Sequence, residues 1–92
     1  MEPRLGQLVV SAAGRDKGRY YIITRIHDDT TVAVTDGAYR PVSNPKKKNL
    51  RHLMMTRTVD SSLSEKLLAG IDITNEEVRE ILKTSSKAKS ER

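Results

Sequence analysis

Short apolar runs rich in β-branched and aromatic residues, separated by polar turn signals, occupy the first 56 residues of the chain. Runs of this composition are typical of strands rather than helices. The pattern predicts five strands, at about residues 6–10, 20–26, 30–35, 38–42 and 50–56. Five short strands with tight turns within about fifty residues favour a small barrel or a strongly bent sheet.

The connections between these strands carry specific turn chemistry. Gly14 and Gly18 lie between the first two strands, where glycine allows the backbone to turn tightly. Asp36-Gly37 predicts a type I′ hairpin turn between the third and fourth strands. Pro41 has no amide donor, so the fourth strand should lie at an edge or end there. Residues 43–49, which include three consecutive lysines, are expected to form a loop.

The apolar spacing then changes to that of amphipathic helices. Ser62 to Glu65 and Thr74 to Glu77 both have capping-box spacing, so we expect one helix to begin at each. The first helix should end at Gly70 and the second near Lys83. Residues 85–92 are polar and charged and are expected to be disordered. The apolar positions of the two helices are Leu63, Leu67, Leu68, Val78, Ile81 and Leu82.

The positive charge of the chain belongs to its first part. Lys and Arg number 17 against 12 Asp and Glu, a net charge of +5. Residues 1–57 carry eleven cations and five anions, whereas residues 58–92 carry six and seven. We therefore divide the chain into a β domain (1–57), a helical segment (58–84) and a basic tail (85–92), and expect the helices to add no charge to the binding site. A basic domain favours a polyanionic partner.

Several classes of function lack the residues they need. Cysteine is absent, which excludes a thiolate metal site and a Cys nucleophile. The segment from Gly14 to Gly18 lacks the spacing and the terminal Lys-Ser/Thr of a phosphate-binding loop, and there is no nucleophile elbow. We expect no enzyme, no cofactor, no metal and no small-molecule substrate. No stretch has the length and apolarity of a membrane span or a signal core, so a cytoplasmic location is expected.

Two basic segments supply the candidate binding residues. The first contains Arg15, Lys17 and Arg19, with Gly14 and Gly18 as turn glycines that let backbone amides approach the same anion. The second contains Lys46, Lys47, Lys48, Asn49, Arg51 and His52. Arg40 could join the second segment if the fourth and fifth strands are neighbours. Lysines hold phosphates as point charges without reading sequence. Both segments also have a structural interpretation, as charges that keep a strand edge or a loop soluble.

Aromatic residues are scarce, at 3% of the chain, with no Trp and no Phe. The core must therefore consist of Val, Ile, Leu and Met. The three tyrosines, Tyr20, Tyr21 and Tyr39, are more typical of strand packing than of a stacking platform for bases.

The order of these segments resembles the KOW motif of several large-subunit ribosomal proteins and transcription elongation factors. The matching stretches are residues 6–10, 13–19 and 32–37. With Arg40, Pro45-Lys46, Lys48-Asn49 and His52-Leu53, the chain is similar to the small bacterial KOW-domain RNA-binding proteins, which are themselves similar to an archaeal and eukaryotic large-subunit ribosomal protein. The resemblance covers about residues 6–56 and implies an SH3-like β-barrel that binds RNA.

The expected fold is therefore mainly β: a small SH3-like, five-stranded barrel followed by one or two short C-terminal helices. The first functional hypothesis is a non-catalytic protein that binds ribosomal or other structured RNA, or acts with the ribosome in translation, through phosphate contacts. The second is a protein-interaction adaptor that uses the apolar face of the helices, although this face could instead pack on the β domain. Binding to duplex DNA is a third hypothesis with the same electrostatics.

Overall fold

The computed structural model describes residues 2–90, with side chains as far as Ser85. The strands are β1 (Gln7–Ser11), β2 (Tyr20–Ile26), β3 (Thr31–Thr35), β4 (Lys46–Asn49) and β5 (Leu53–Val59), the helices are α1 (Ser61–Leu68) and α2 (Asn75–Ser90), and a 3-10 turn (Leu50–His52) joins β4 to β5. The protein is mainly β, with one antiparallel sheet in the strand order β4-β3-β2-β1-β5. Within the described range, neither α-helix has the length and apolarity needed to cross a membrane.

The first three strands confirm the sequence pattern, but the predicted strand at residues 38–42 is wrong. Residues 36–45 form a loop between β3 and β4. Asp36 stabilises this loop, because its Oδ1 accepts hydrogen bonds from the amides of Ala38 (3.0 Å) and Arg40 (2.8 Å). Asp36-Gly37 is therefore not a type I′ turn, which needs positive φ at both positions. Gly37 has a φ of +75°, but the positive φ values of the described residues are all at glycines.

The fourth strand is the lysine segment, which the sequence analysis placed in a loop. Lys46–Asn49 pairs with β3, with Lys48 opposite Val32 and Lys46 opposite Val34. The last predicted strand begins later than expected, because Leu50–His52 forms the 3-10 turn and β5 starts at Leu53. The lysines thus lie on regular backbone, which fixes their directions relative to one another.

The sheet is strongly curved. β4 and β5 form its two edges, yet only the three residues Leu50–His52 separate them along the chain. The chain from Asn49 to Leu53 spans at most about 14 Å, whereas the edges of a flat five-stranded sheet lie about 19 Å apart. The edges must therefore bend toward each other. The enclosed face holds a buried core of Val9, Tyr21, Ile23, Val32, Val34 and Leu53.

The helices cover the opposite face of the sheet. Leu8 and Ile22, one residue out of phase with Val9 and Tyr21, point to this side. They form a second buried core with Leu63, Ile73, Val78 and Leu82. Of the two alternatives for the apolar face of the helices, the structure therefore shows packing on the β domain for most of its positions. Leu67 and Ile81 are partly buried against the same core, whereas Leu68 is 73% exposed.

Of the two predicted helix N-termini, that of α2 is correct and that of α1 is not. The capping box of α2 is confirmed, because Thr74 Oγ1 accepts from the amide of Glu77 (3.1 Å) and Glu77 Oε1 accepts from the amide of Thr74 (2.9 Å). The cap predicted at Ser62 is wrong, because Asp60 caps α1 and its Oδ2 accepts from the amide of Leu63 (2.9 Å).

Helix α2 continues to Ser90, past its expected end near Lys83. The tail expected over residues 85–92 overlaps the end of this helix, and residues 91 and 92 lie outside the described residues.

Candidate anion-binding site

The turn between β1 and β2, residues 12–19, is held by its own backbone hydrogen bonds. The amide of Ser11 donates to the carbonyl of Arg19 (2.9 Å), and the amide of Gly18 donates back to the carbonyl of Ser11 (2.7 Å). Gly14 and Gly18 both have positive φ, at +85° and +92°. The Gly18 amide is already used inside the turn, so it does not serve the anion contact expected from the sequence. The amides of Lys17 and Arg19 also donate within the turn, whereas the side chains of Arg15 and Lys17 are exposed to an approaching anion.

Asp16 lies at the centre of the turn with its side chain buried. Its Oδ1 accepts from Ser11 Oγ (2.7 Å) and Lys48 Nζ (3.1 Å). Its Oδ2 accepts from Tyr21 Oη (2.7 Å) and Lys46 Nζ (3.1 Å). Burial alone would raise the pKa of Asp16, but the hydrogen bonds from Tyr21, Ser11 and the two lysines outweigh it and hold this pKa well below its usual range.

Tyr21 is perturbed in the opposite direction. Its burial, the hydrogen bond to Asp16 and the nearby negative charge raise the pKa of the phenol to about 12. Tyr21 is therefore a neutral donor at physiological pH, and Asp16 is an anion. The role of Asp16 was not predicted from the sequence. The signal was a single acidic residue between Arg15 and Lys17 in an otherwise basic turn.

The three lysines of β4 have different surroundings. Lys48 is buried, and besides Asp16 it donates to Ser11 Oγ (2.9 Å) and to the carbonyl of Ala13 (3.3 Å). Lys46, about a third exposed, makes the second ion pair with Asp16. Lys47 points to the opposite face. The lysine run is therefore not one patch: two lysines support the turn from inside, and the third belongs to another surface.

That other surface contains a second pair of cations. Lys47 lies opposite Ala33 in β3, and Ala33 lies opposite Arg25 in β2. Cross-strand partners share a face of the sheet, so Lys47 and Arg25 occupy one row across three strands. Both side chains are exposed.

The 3-10 turn brings the second basic segment beside the β1–β2 turn. The amide of Ala12 donates to the carbonyl of His52 at 2.8 Å. Asn49 caps the 3-10 turn, since its Oδ1 accepts from the amide of Arg51 at 3.0 Å. The side chains of Arg51 and His52 are exposed. Exposed cations from two distant segments are thus presented at one end of the sheet.

Arg19 and Arg40 are placed differently from the other candidates. The guanidinium carbon of Arg19 lies 4.2 Å from the ring centroid of Tyr39, a cation–π contact. Arg40 is half-buried in the loop after β3, where its carbonyl accepts from the amides of Asp36 (3.2 Å) and Gly37 (3.3 Å). Arg40 was expected to join the second segment if the predicted strands at residues 38–42 and 50–56 were neighbours. This expectation is wrong, because Arg40 lies in a loop and the observed β4 and β5 are opposite edges of the sheet.

Helix α2 contributes charge near the turn, contrary to the expectation that the helices add none. Arg79 and Lys83, one helical turn apart, line a shallow cavity of about 420 Å³ together with Tyr20, Asp36 and Leu82. Nη1 of Arg79 also donates to the carbonyl of Gly37 at 2.5 Å. Tyr20 directly follows Arg19, so the cavity adjoins the basic turn.

Comparison of the chain with models of known protein families gives no match. A search among curated proteins likewise finds no relative.

Proposed function

We propose that the protein is a non-catalytic RNA-binding protein that holds structured RNA, such as ribosomal RNA, by its phosphates. One observation carries this proposal: Arg15 and Lys17 are exposed on the β1–β2 turn, while the only acidic residue of that turn, Asp16, is buried between two lysines. The turn therefore presents only positive charge to solvent. Such a surface suits phosphate, the part of RNA that contributes most of the electrostatic binding energy.

The rigidity of the turn supports the same conclusion. The turn carries internal hydrogen bonds and is fixed to β4 by the Asp16 ion pairs. Cations on a rigid element lose less conformational freedom on binding than cations on a free loop. The exposed Arg51 and His52, beside Ala12, extend the basic surface so that more than one phosphate can be contacted.

The fold is part of the proposal. A curved five-stranded sheet whose edge strands are joined by a three-residue 3-10 turn supports the SH3-like barrel that the KOW resemblance implies. With that resemblance, the proposed setting is the bacterial cytoplasm, and the proposed partner is the ribosome or another structured RNA of translation.

The adaptor hypothesis loses its main support. It required a free apolar face on the helices, but Leu63, Val78 and Leu82 are buried against the sheet, which leaves Leu68 as the strongly exposed member of that face. Phosphate binding by the β domain is therefore the better-supported function.

The test measures binding of a labelled RNA hairpin by fluorescence anisotropy between about 50 and about 200 mM KCl, where phosphate contacts produce a steep loss of affinity. Arg15→Ala/Lys17→Ala should weaken binding and reduce the salt slope by about two, one for each phosphate contact removed. Arg25→Ala/Lys47→Ala is the matched control, because it removes the same charge from the other face of the sheet.

Two results would contradict the proposal: affinity that does not depend on salt, or equal losses in both double variants. Competition by a DNA duplex of the same sequence at the same salt separates RNA binding from general duplex binding. Replacing all three lysines of β4 is not a clean test, because Lys48 neutralises Asp16 in the core.

A further inference from the structure

Tyr39 is a large aromatic side chain that is exposed to solvent. It is 77% exposed, the highest value among the large hydrophobic side chains that the structure describes as exposed. The other two tyrosines pack on the cores, Tyr21 fully buried and Tyr20 partly buried. The sequence-based expectation of a packing role is therefore wrong for Tyr39. Its exposure needs another explanation, because an exposed ring gains little of the stabilisation that burial provides.

The backbone on both sides of Tyr39 is fixed. The amides of its two neighbours, Ala38 and Arg40, both donate to the same carboxylate oxygen of Asp36. Gly37 packs so closely on the start of α2 that a Cβ there would lie 2.6 Å from the carbonyl oxygen of Asn75. Tyr39 is therefore an exposed ring on a rigid support, as preorganised binding requires.

The surroundings of the ring are cationic. The guanidinium group of Arg19 covers one side of the ring at 4.2 Å. The cavity lined by Arg79 and Lys83 of α2 also includes Asp36, the residue that fixes the Tyr39 loop, and Tyr20, the residue after Arg19. Arg79 is joined to the same loop by its hydrogen bond to the carbonyl of Gly37. An aromatic surface beside several cations suits a ligand that combines a flat ring with negative charge. Such a ligand is a nucleotide.

We propose that Tyr39 stacks on one unpaired nucleobase of the bound RNA, while Arg79 and Lys83 contact the phosphates that flank it. This inference rests on the proposed function and gives it a specificity. The turn holds the phosphates of a duplex, and Tyr39 selects RNA that has a bulged or single-stranded nucleotide next to that duplex. A paired base cannot provide this contact, because both of its faces are stacked on its neighbours.

The experiment compares two labelled RNA hairpins that differ by one bulged nucleotide, with 2-aminopurine as the bulged base. In both hairpins a non-nucleotide linker replaces the loop, so that the bulge is the single unpaired nucleotide next to the duplex. The wild-type protein should bind the bulged hairpin about tenfold more tightly and change the 2-aminopurine fluorescence. Tyr39→Ala should bind both hairpins equally and leave that fluorescence unchanged. Tyr39→Phe, which keeps the ring, should behave as the wild type. The exposed position of Tyr39 predicts that both variants fold, which thermal unfolding checks.

The outcomes separate this inference from the function on which it rests. If the wild type binds both hairpins with equal affinity, or if Tyr39→Ala keeps the preference for the bulge, stacking by Tyr39 is refuted and phosphate binding stands. If neither hairpin binds, the proposed function fails and stacking fails with it. Lys83→Ala should weaken binding of the bulged hairpin and lower its salt slope by about one; an unchanged slope would remove α2 from the site.

Discussion

Nζ of Lys48 lies 3.1 Å from Oδ1 of Asp16, and both side chains are almost completely buried. The contact joins an edge strand to a turn that begins three strands away in the sheet. With the second ion pair from Lys46, it neutralises the one acidic side chain of the turn from inside. The neighbouring Arg15 and Lys17 keep their charge in solvent, so a structural ion pair determines the sign of the outer surface.

Removing the charge of Asp16 should destabilise the protein. Asp16→Asn leaves Lys48 buried without a counter-charge, and we expect the free energy of unfolding to fall by about 3 kcal/mol. Urea unfolding at neutral pH, followed by circular dichroism, measures this change. Asp29→Asn is the matched control on the exposed β2–β3 turn and should alter stability by less than about 0.5 kcal/mol. Equal stability of Asp16→Asn and wild type would contradict the role of the ion pair.

The contribution of Asp16 should disappear in acid. Its pKa is lower in the folded protein than the value of about 3.9 in an unfolded chain. The stabilisation is therefore complete above the unfolded pKa and is lost as the pH falls from there toward the folded pKa. The difference in unfolding free energy between wild type and Asp16→Asn should shrink as the pH is lowered from about 5 to about 2. Other titrating groups are present in both proteins and cancel, so a constant difference would exclude the carboxylate as its source.

The two positive-φ glycines Gly18 and Gly37 should respond differently to alanine. Gly18 has a φ of +92°, and a Cβ added there would meet no atom within 4 Å, so Gly18→Ala adds only backbone strain, about 1–2 kcal/mol. Gly37→Ala adds the same strain and a clash with the carbonyl of Asn75, a further cost of about 1–3 kcal/mol. Urea unfolding of the two variants gives this order directly. A smaller loss for Gly37→Ala would mean that the loop and α2 are not in close contact.

Local signals were sufficient for much of the fold. β1, β2 and β3 could be predicted because each is a short run rich in apolar and β-branched residues between turn signals, as strands with both faces covered require. The capping box of α2 could be predicted because its two hydrogen bonds join residues only three positions apart. These features depend on neighbouring residues, which a single sequence displays.

The missed features depend on contacts between distant residues. β4 has no apolar alternation, because its inward positions are lysines whose partner, Asp16, lies 32 residues from Lys48. The start of α1 was predicted at Ser62, although Asp60 and Ser61 are also good capping residues. Tertiary contact selects Asp60, whose amide donates to the carbonyl of Gly6 at 3.0 Å.

The candidate site was predictable as charge but not as geometry. Arg15 and Lys17 are exposed as expected, whereas Lys46 and Lys48 are bound to Asp16. The sequence could not indicate that Tyr39 meets Arg19, because this contact joins a turn to a loop that was predicted as a strand.

The dependence of the turn on β4 would make the proposed RNA binding a property of the completely folded domain. A single element can detach by local opening while the rest of a domain stays folded. If β4 detaches, the β1–β2 hairpin can remain paired, but the carboxylate of Asp16 loses both lysine partners. A hairpin peptide of residues 7–26 would keep the cations of the turn, Arg15, Lys17 and Arg19. Its turn would also display the negative charge of Asp16, because the peptide lacks the two lysines of β4. If the proposed function holds, RNA would bind the completely folded protein more tightly than a form in which β4 alone is detached.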